Sequence, residues 1–405
     1  MKPFGKLLTR ENALRLIEAI VKPIDRTENL PLNEAAGRVL APDIVAGFDV
    51  PPFDRASMDG YAVRSVDTRG ASEEDPVKLR IVAVQHAGEL YKGLLGRGEC
   101  VEIATGSPIP SGCDSVVKVE DTSKERDTVL IFREVEPGKD VAPAGEDMKK
   151  GELVLKAGTT LSSGMVGALA ALGYEAVAVY QRPRVAIYSS GHEIVPQGQP
   201  LKPGEIYDVN SLTLQTVVRS MGGEPIKMGI IRDDIGSIEV SLREASGYDM
   251  GVFSGGSSVG SRDLFGEAVG NLGIVHFHGV KVKPGKPTLF GEVKGTPIFG
   301  MPGFPTSCLT NSYVFLAPAL RKMARLPPLE MRKVTVTMGH RLVSRSDREA
   351  LITVSLEGDR ARKVFKQSGD ITSMAHADGF IILPEGDHVV EEGEVVDVWL
   401  LPRPL

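Results

Sequence analysis

From Val185 to Ala324 the chain alternates short apolar runs with segments of helical periodicity, and this alternation restricts the fold more than any other feature. Val185 to Ser189 reads as a strand, Ser211 to Met221 as a helix, Pro225 to Ile230 as a strand and Asp233 to Ala245 as a helix. A strand-like run at Met250, Val252 and Phe253 follows, then an amphipathic segment from Leu264 to Leu272. Ile274 to Val282, Thr288 to Val293 and Pro297 to Gly300 read as further strands, and Thr306 to Ala324 as a closing helix. Strands alternating with helices of about ten to fifteen residues imply an open, doubly wound α/β sheet, at least partly parallel. Ligands of such sheets sit beyond the carboxyl ends of the strands, where the strand order reverses.

The loops on that edge carry the chemistry. Ser254-Gly255-Gly256-Ser257-Ser258-Val259-Gly260 separates a strand from a helix that Asp263 opens. Strand, Gly/Ser loop and helix start together present bare N–H groups and hydroxyls to an anion, typically a phosphate. For a Gly-Gly pair on its own, an ordinary tight turn is the competing reading. Three more loops share the edge: Ser189-Ser190-Gly191-His192-Glu193, Ile231-Arg232-Asp233-Asp234, and Met301-Pro302-Gly303-Phe304-Pro305-Thr306-Ser307. In Lys281-Val282-Lys283-Pro284-Gly285-Lys286-Pro287 the Pro and Gly residues shape a turn from which Lys283 and Lys286 project. Beside an anion loop, those lysines suit neutralisation of phosphate or another oxyanion.

The flanks read differently. Ala13, Leu14, Ile17, Ile20 and Val21 recur at helical spacing behind Thr9, a candidate N-cap, and Leu32 to Leu40 suggests a second short helix. The loop from Phe48 to Asp59, broken by Pro51-Pro52 and rich in Asp, Ser and Arg, precedes Tyr61-Ala62-Val63 and is a plausible site loop. Short alternating runs between Val77 and Val141 predict a small β module holding the hydroxyl-bearing loop around Thr105. After Arg325-Leu326-Pro327-Pro328 the remaining runs predict a small barrel or sandwich. The expected division is therefore 1–181, an N-terminal helical and β portion with an inserted β module at about 50–147; 182–326, the α/β domain; and 327–405, the β domain.

Composition narrows the partners. A net charge of −6 points to neither nucleic acid nor a membrane surface, so any anion site is local. Cys100, Cys113 and Cys308 lack CxxC spacing, which fits a reducing compartment and argues against a zinc cluster. MKPFGKLLTREN has no apolar core of a signal peptide, and four prolines interrupt the uncharged stretch from Gly295 to Leu320. A cytoplasmic protein is expected. His276 and His278 alternate on a strand without further ligands beside them and read as structural.

Several motifs occur together in a definite order. They are Ser57-Met58-Asp59-Gly60-Tyr61-Ala62-Val63, Thr105-Gly106 with Pro110, Gly112-Cys113-Asp114-Ser115-Val116-Val117, Gly145-Glu146-Asp147 and Tyr207-Asp208-Val209-Asn210. Gly255-Gly256-x-Ser258-Val259-Gly260 with Asp263, Lys283-Pro284-Gly285-Lys286-Pro287 and Pro302-Gly303-x-Pro305 complete the set. Over nearly its full length the chain resembles the molybdopterin molybdenumtransferases, related to the C-terminal domain of gephyrin.

The resemblance implies a homodimer of multidomain subunits that inserts molybdate, or tungstate, into adenylylated molybdopterin, with Mg²⁺ assisting and AMP released. It implies catalytic roles for Asp59, Thr105, Asp147, Glu193, Asp233 and Asp263, with Asp233 and Asp263 near the metal. Gly255, Gly256, Ser257, Ser258, Lys283, Lys286, Pro302, Pro305, Ser307, Arg348 and Ser368 match its substrate-binding side. The family draws each site from the N-terminal part of one subunit and the α/β part of the other, and the upstream molybdopterin adenylyltransferase is a candidate partner. The same fold also serves as a peptide-binding scaffold in gephyrin, and pterin binding without metal insertion is a third reading. Two departures stand out: His192 replaces an Asp between Gly and Glu, and Phe304 stands where the family usually has Asn.

Overall fold

The computed structural model describes residues 7–255 and 264–402. It consists of two compact units, one formed by Met1–Glu28 with Tyr180–Leu405, the other by Asn29–Val179.

The larger unit is built on β1 (Arg184–Ser190), α1 (Val209–Ser220), β2 (Glu224–Ile231), α2 (Ile235–Ala245), β3 (Met250–Ser254), α3 (Leu264–Leu272), β4 (Gly273–His278), β5 (Leu289–Val293) and β6 (Thr296–Met301). These strands form one sheet in the order β2-β1-β3-β6-β5-β4. The first four are mutually parallel, and β5 and β4 add an antiparallel edge. Period-two alternation sends successive side chains to opposite faces. Val185, Ile187, Val252 and Phe299 thus share a core with Leu214, Val217 and Val218 of α1. Their neighbours Ala186, Tyr188, Phe253 and Ile298 pack against Ile238 and Leu242 of α2 and Phe265 and Val269 of α3. Both faces are covered, as expected of strands that are apolar throughout. From β1 the chain moves to one side for β2 and returns to the other for β3, so the switch point lies between the carboxyl ends of β1 and β3.

Three elements differ from their sequence patterns. The opening helix, Arg10–Ile20, capped by Thr9 Oγ1 accepting from Asn12 N at 3.3 Å, lies in the larger unit. Its Ala13 and Ile17, with Val21 beyond, belong to the core on the α1 face of the sheet, which explains the placement. The strand read from Ile274 to Val282 stops at His278, and Val282–Lys283 pairs instead with the start of Glu349–Glu357. The closing helix is three pieces, Pro305–Asn311, a wide π turn at Ser312–Leu316, and Ala317–Met323 with Pro318 near its start. Proline lacks the N–H that a regular α-helix would use there. On its strand, His276 Nε2 lies 2.6 Å from Glu292 Oε2.

At the carboxyl end, Lys333–Met338, Glu349–Glu357, Arg360–Lys363, Gly379–Leu383 and Val395–Leu400 close into a five-stranded barrel. Closure leaves no free sheet edge among those five strands. Leu342–Ser346 and Gly386–Val390, not apparent as strands in the sequence, pair with each other as a separate arm. The smaller unit holds a six-stranded sheet in the spatial order Ser115–Lys118, Gly60–Val63, Glu99–Ile103, Val77–Gln85, Thr128–Ile131, Thr122–Glu125. A second core in the same unit gathers Leu40, Ile44, Leu155, Leu161 and Val177 around Leu169 of the helix Ser163–Ala171. No helix among the described residues is long and apolar enough to cross a membrane.

Candidate active site

A cleft of about 440 Å³ opens at the switch point of the large sheet. That is within the usual range of small-molecule sites. Ser190 at the end of β1, Asp233 after β2, Gly255 after β3 and Pro302 to Pro305 after β6 all line it, joined by Glu193, Tyr207, Asp208, Asn210 and Ser307. Gly255 has φ +88°, and a Cβ there would lie 2.2 Å from the Ser190 carbonyl oxygen. Only glycine lets β1 and β3 approach this closely at their ends.

Helix capping decides which polar groups are left for the cleft. Asp208 caps α1: its Oδ1 accepts from Ser211 N at 3.0 Å and from Ser189 Oγ at 2.7 Å. Asn210 Nδ2 donates to Gly303 O at 2.8 Å and ties the start of α1 to the Pro302–Pro305 loop. Of the pair Asp233-Asp234, the second caps α2, accepting from Ser237 N at 2.8 Å and Ser237 Oγ at 2.7 Å. Asp233 is thereby free to line the cleft, where Ser190 Oγ donates to it. Burial raises the pKa of Asp233; His192 opposes the rise and the Glu193 carboxylate adds to it.

Glu193 and Asp233 thus stand in one cleft with no Lys or Arg among its described lining residues. Mutual repulsion and partial burial favour a divalent cation between such groups. Among the described residues no group of three His, Cys, Asp or Glu side chains is arranged to hold a metal ion.

The basic residues go elsewhere. Lys283 lines a separate pocket of about 100 Å³ on the barrel, with Ser344, Arg345, Lys363 and Phe365. The Asp347 carboxyl is held below its usual range chiefly by a hydrogen bond from Arg348 Nε at 2.9 Å, and Lys286 adds to the effect. Ser368 contributes its carbonyl, which accepts from Thr306 N at 3.0 Å at the base of the helix that begins with Pro305. Of the residues matched to substrate binding, Gly255, Pro302, Pro305 and Ser307 therefore line the cleft. Gly256, Ser257, Ser258 and Asp263 lie outside the described residues.

In the smaller unit, Asp59 Oδ1 accepts from Thr105 N at 2.7 Å and Thr105 Oγ1 at 2.8 Å. These bonds, the backbone one first, lower the pKa of Asp59. Three loops meet here. Ala56 N donates to Ser107 O, Ser57 N to Asp140 O, and Ala144 N to Asp54 Oδ1. Asp147, whose N–H donates to Val50 O at 3.0 Å, follows on the third loop and is exposed. Tyr207, Asp208 and Asn210 are cleft residues to which the sequence assigned no role, although Tyr207-Asp208-Val209-Asn210 belongs to the ordered motif set. An Asp one residue before an apolar helical run is the available signal.

Fold and cleft together define a multidomain α/β protein with an acidic ligand site at the switch point of a doubly wound sheet. Residues 8–173 match the family described as MoeA N-terminal region (domain I and II), 186–322 the probable molybdopterin binding domain, and 335–401 the MoeA C-terminal region (domain IV). Molybdopterin molybdenumtransferase 2 of Mycobacterium tuberculosis is 34% identical, over 92% of this chain and 95% of that one. The molybdopterin molybdenumtransferase of a Nostoc species is 33% identical, over 99% and 96%. The structure of a molybdopterin biosynthesis MoeA protein from Pyrococcus horikoshii superposes with a TM-score of 0.87 at 40% identity, covering 98% of this chain and all of that one. The chain belongs to the molybdopterin molybdenumtransferase (MoeA) family of enzymes.

Proposed function

We propose that this chain inserts molybdenum into molybdopterin in molybdenum cofactor biosynthesis, taking adenylylated molybdopterin and molybdate, or tungstate, as substrates. The carrying observation is the switch-point cleft in which Glu193 and Asp233 stand together with no Lys or Arg among the described lining residues. The pyrophosphate link is cleaved by water and AMP leaves, and the two dithiolene sulfurs bind the metal of the oxyanion as one oxo ligand departs with the two thiol protons as water. When bound, Mg²⁺ neutralises the anhydride oxygens and the charge that develops on the leaving phosphate. Asp233, with Asp263, holds that cation. Glu193 orients the attacking water, and Asp59, Thr105 and Asp147 complete the catalytic set.

On the substrate side, the loop of Gly255, Gly256, Ser257 and Ser258 takes the phosphates. Pro302, Pro305 and Ser307 hold the pterin end, while Lys283, Lys286, Arg348 and Ser368 take the oxyanion. The chain works as a homodimer in the cytoplasm, with functional domains at 1–181, 182–326 and 327–405. Purified protein mixed with adenylylated molybdopterin, Mg²⁺ and either oxyanion is expected to release AMP and to yield cofactor that activates a molybdoenzyme apoprotein. Failure to release AMP above the buffer rate with both oxyanions would falsify the assignment.

A further inference from the structure

Phe304 precedes the helix Pro305–Asn311 as its N-cap residue, with backbone at φ −70° and ψ 128°, and its side chain makes no capping bond. Ser, Thr, Asp or Asn at such a position accepts from the first unpaired N–H groups of the helix, and this chain forgoes that stabilisation. The Phe304 ring is 65% exposed, more than any other aromatic side chain among the described residues. A lone exposed apolar residue is ordinary on a protein surface. This one lines the cleft together with Tyr207 and Ile206, themselves 39% and 54% exposed.

The backbone around the ring is held from three sides. Gly303 O accepts from Asn210 Nδ2 at 2.8 Å, Phe304 O accepts from Cys308 N at 2.9 Å, and Thr306 N donates to Ser368 O at 3.0 Å. Gly369 stands behind the ring, where an added Cβ would come within 3.6 Å of Phe304 Cδ1. An aromatic side chain with a fixed backbone and a largely uncovered ring is preorganised to stack on a flat partner. The carboxylates Glu193, Asp208 and Asp233 among the described lining residues repel an anion that lacks a cation, so an uncharged flat ring suits the apolar part of the wall.

We propose that Phe304 is a specificity-determining residue of the cleft, stacking on a flat heteroaromatic ring, with Tyr207 and Ile206 as part of the apolar wall. Resting on the function proposed above, that ring is the pterin of the substrate. The contact replaces a helix cap, so binding and stability pull in opposite directions at this position.

The test is a titration of the full chain with 6-hydroxymethylpterin, followed by pterin fluorescence, which stacking on an aromatic ring quenches. Wild-type protein and Phe304→Tyr should quench alike. Phe304→Leu should bind roughly three- to tenfold more weakly and lose the quench. Phe304→Asn should lose the quench while its Tm rises, because the amide restores a cap. A ring that served only the fold would show an unchanged quench and a lowered Tm in the Asn variant. Unaltered binding and quench in Phe304→Leu, or no pterin binding by the wild type, overturns the proposal. AMP release from adenylylated molybdopterin separates the two ideas. A quench lost in Phe304→Leu with no AMP from wild type removes the reaction and keeps the stacking; AMP release with an unchanged pterin titration in Phe304→Leu does the reverse.

Discussion

Two depressions in the larger unit carry opposite charge. Among the described residues, the switch-point cleft is lined by Glu193, Asp208 and Asp233 and by no Lys or Arg, whereas the small barrel pocket is lined by Lys283, Arg345 and Lys363 and by no Asp or Glu. With a net charge of −6, the chain keeps this positive patch local. An acidic cleft accepts a phosphorylated ligand only with a cation or a strong apolar contact, while a basic pocket draws a small oxyanion unaided. Under the proposed function, the difference would separate two tasks, holding an organic substrate and holding a free oxyanion.

The acidic side is the place to break this comparison hardest. Glu193→Gln and Asp233→Asn are each expected to slow single-turnover AMP release by about 100-fold or more. A wild-type rate in both would move the reaction out of the cleft. On the basic side, Lys283→Glu should raise the KM for molybdate about tenfold with little change in kcat, the scale of a lost charge-assisted hydrogen bond. An unchanged KM would make the pocket solvated surface.

A smaller effect appears in stability. Because the folded-state pKa of Asp233 is raised, mainly by burial, its ionised form destabilises the fold at pH values above that pKa. The penalty fades as pH falls and is absent below the ordinary carboxylate value of about 3.9. Asp233→Asn should therefore raise Tm at neutral pH and lose that advantage by about pH 4. Thermal melts at the two pH values check the sign.

The smallest change lies in the other unit. Asp59 has the opposite shift, its pKa lowered by two hydrogen bonds from Thr105. Its contribution is present above the ordinary carboxylate pKa and is lost as pH falls through the lower folded value. Thr105→Val removes the hydroxyl bond and keeps the backbone one, so the Asp59 carboxyl should titrate at higher pH by carboxyl-carbon NMR. No movement would show that the backbone bond alone sets the shift.

Local periodicity made much of the architecture legible. Leu264–Leu272, Lys333–Met338, Gly379–Leu383 and Val395–Leu400 occur where the apolar spacing places them, because which side chains face a core depends on neighbours a few residues away. The arm strands Leu342–Ser346 and Gly386–Val390 were not legible. They pair only with each other, across a long stretch of chain, and Val343 and Val389 point to solvent at 44% and 46% exposure. The site divides the same way. That Asp233-Asp234 follows a strand is visible in the sequence, but which of the two caps α2 depends on the helix beginning at Ile235.

By itself, then, the sequence determined the alternation of strands and helices in the α/β domain and the supply of carboxylates and lysines, since each rests on local backbone preference or composition. Only the tertiary structure decided how those charges were sorted. Lys283 sits three residues before Lys286 and reads with it as one patch, yet the pairing of Val282–Lys283 with Glu349–Ala350 commits it to the barrel pocket. Phe304 stands out in the sequence as a departure in a loop at the ligand edge, but only the tertiary structure shows it uncovered on the same cleft as Tyr207. Strand pairing and barrel closure join residues far apart in the chain, and no local pattern encodes which partner a strand will find.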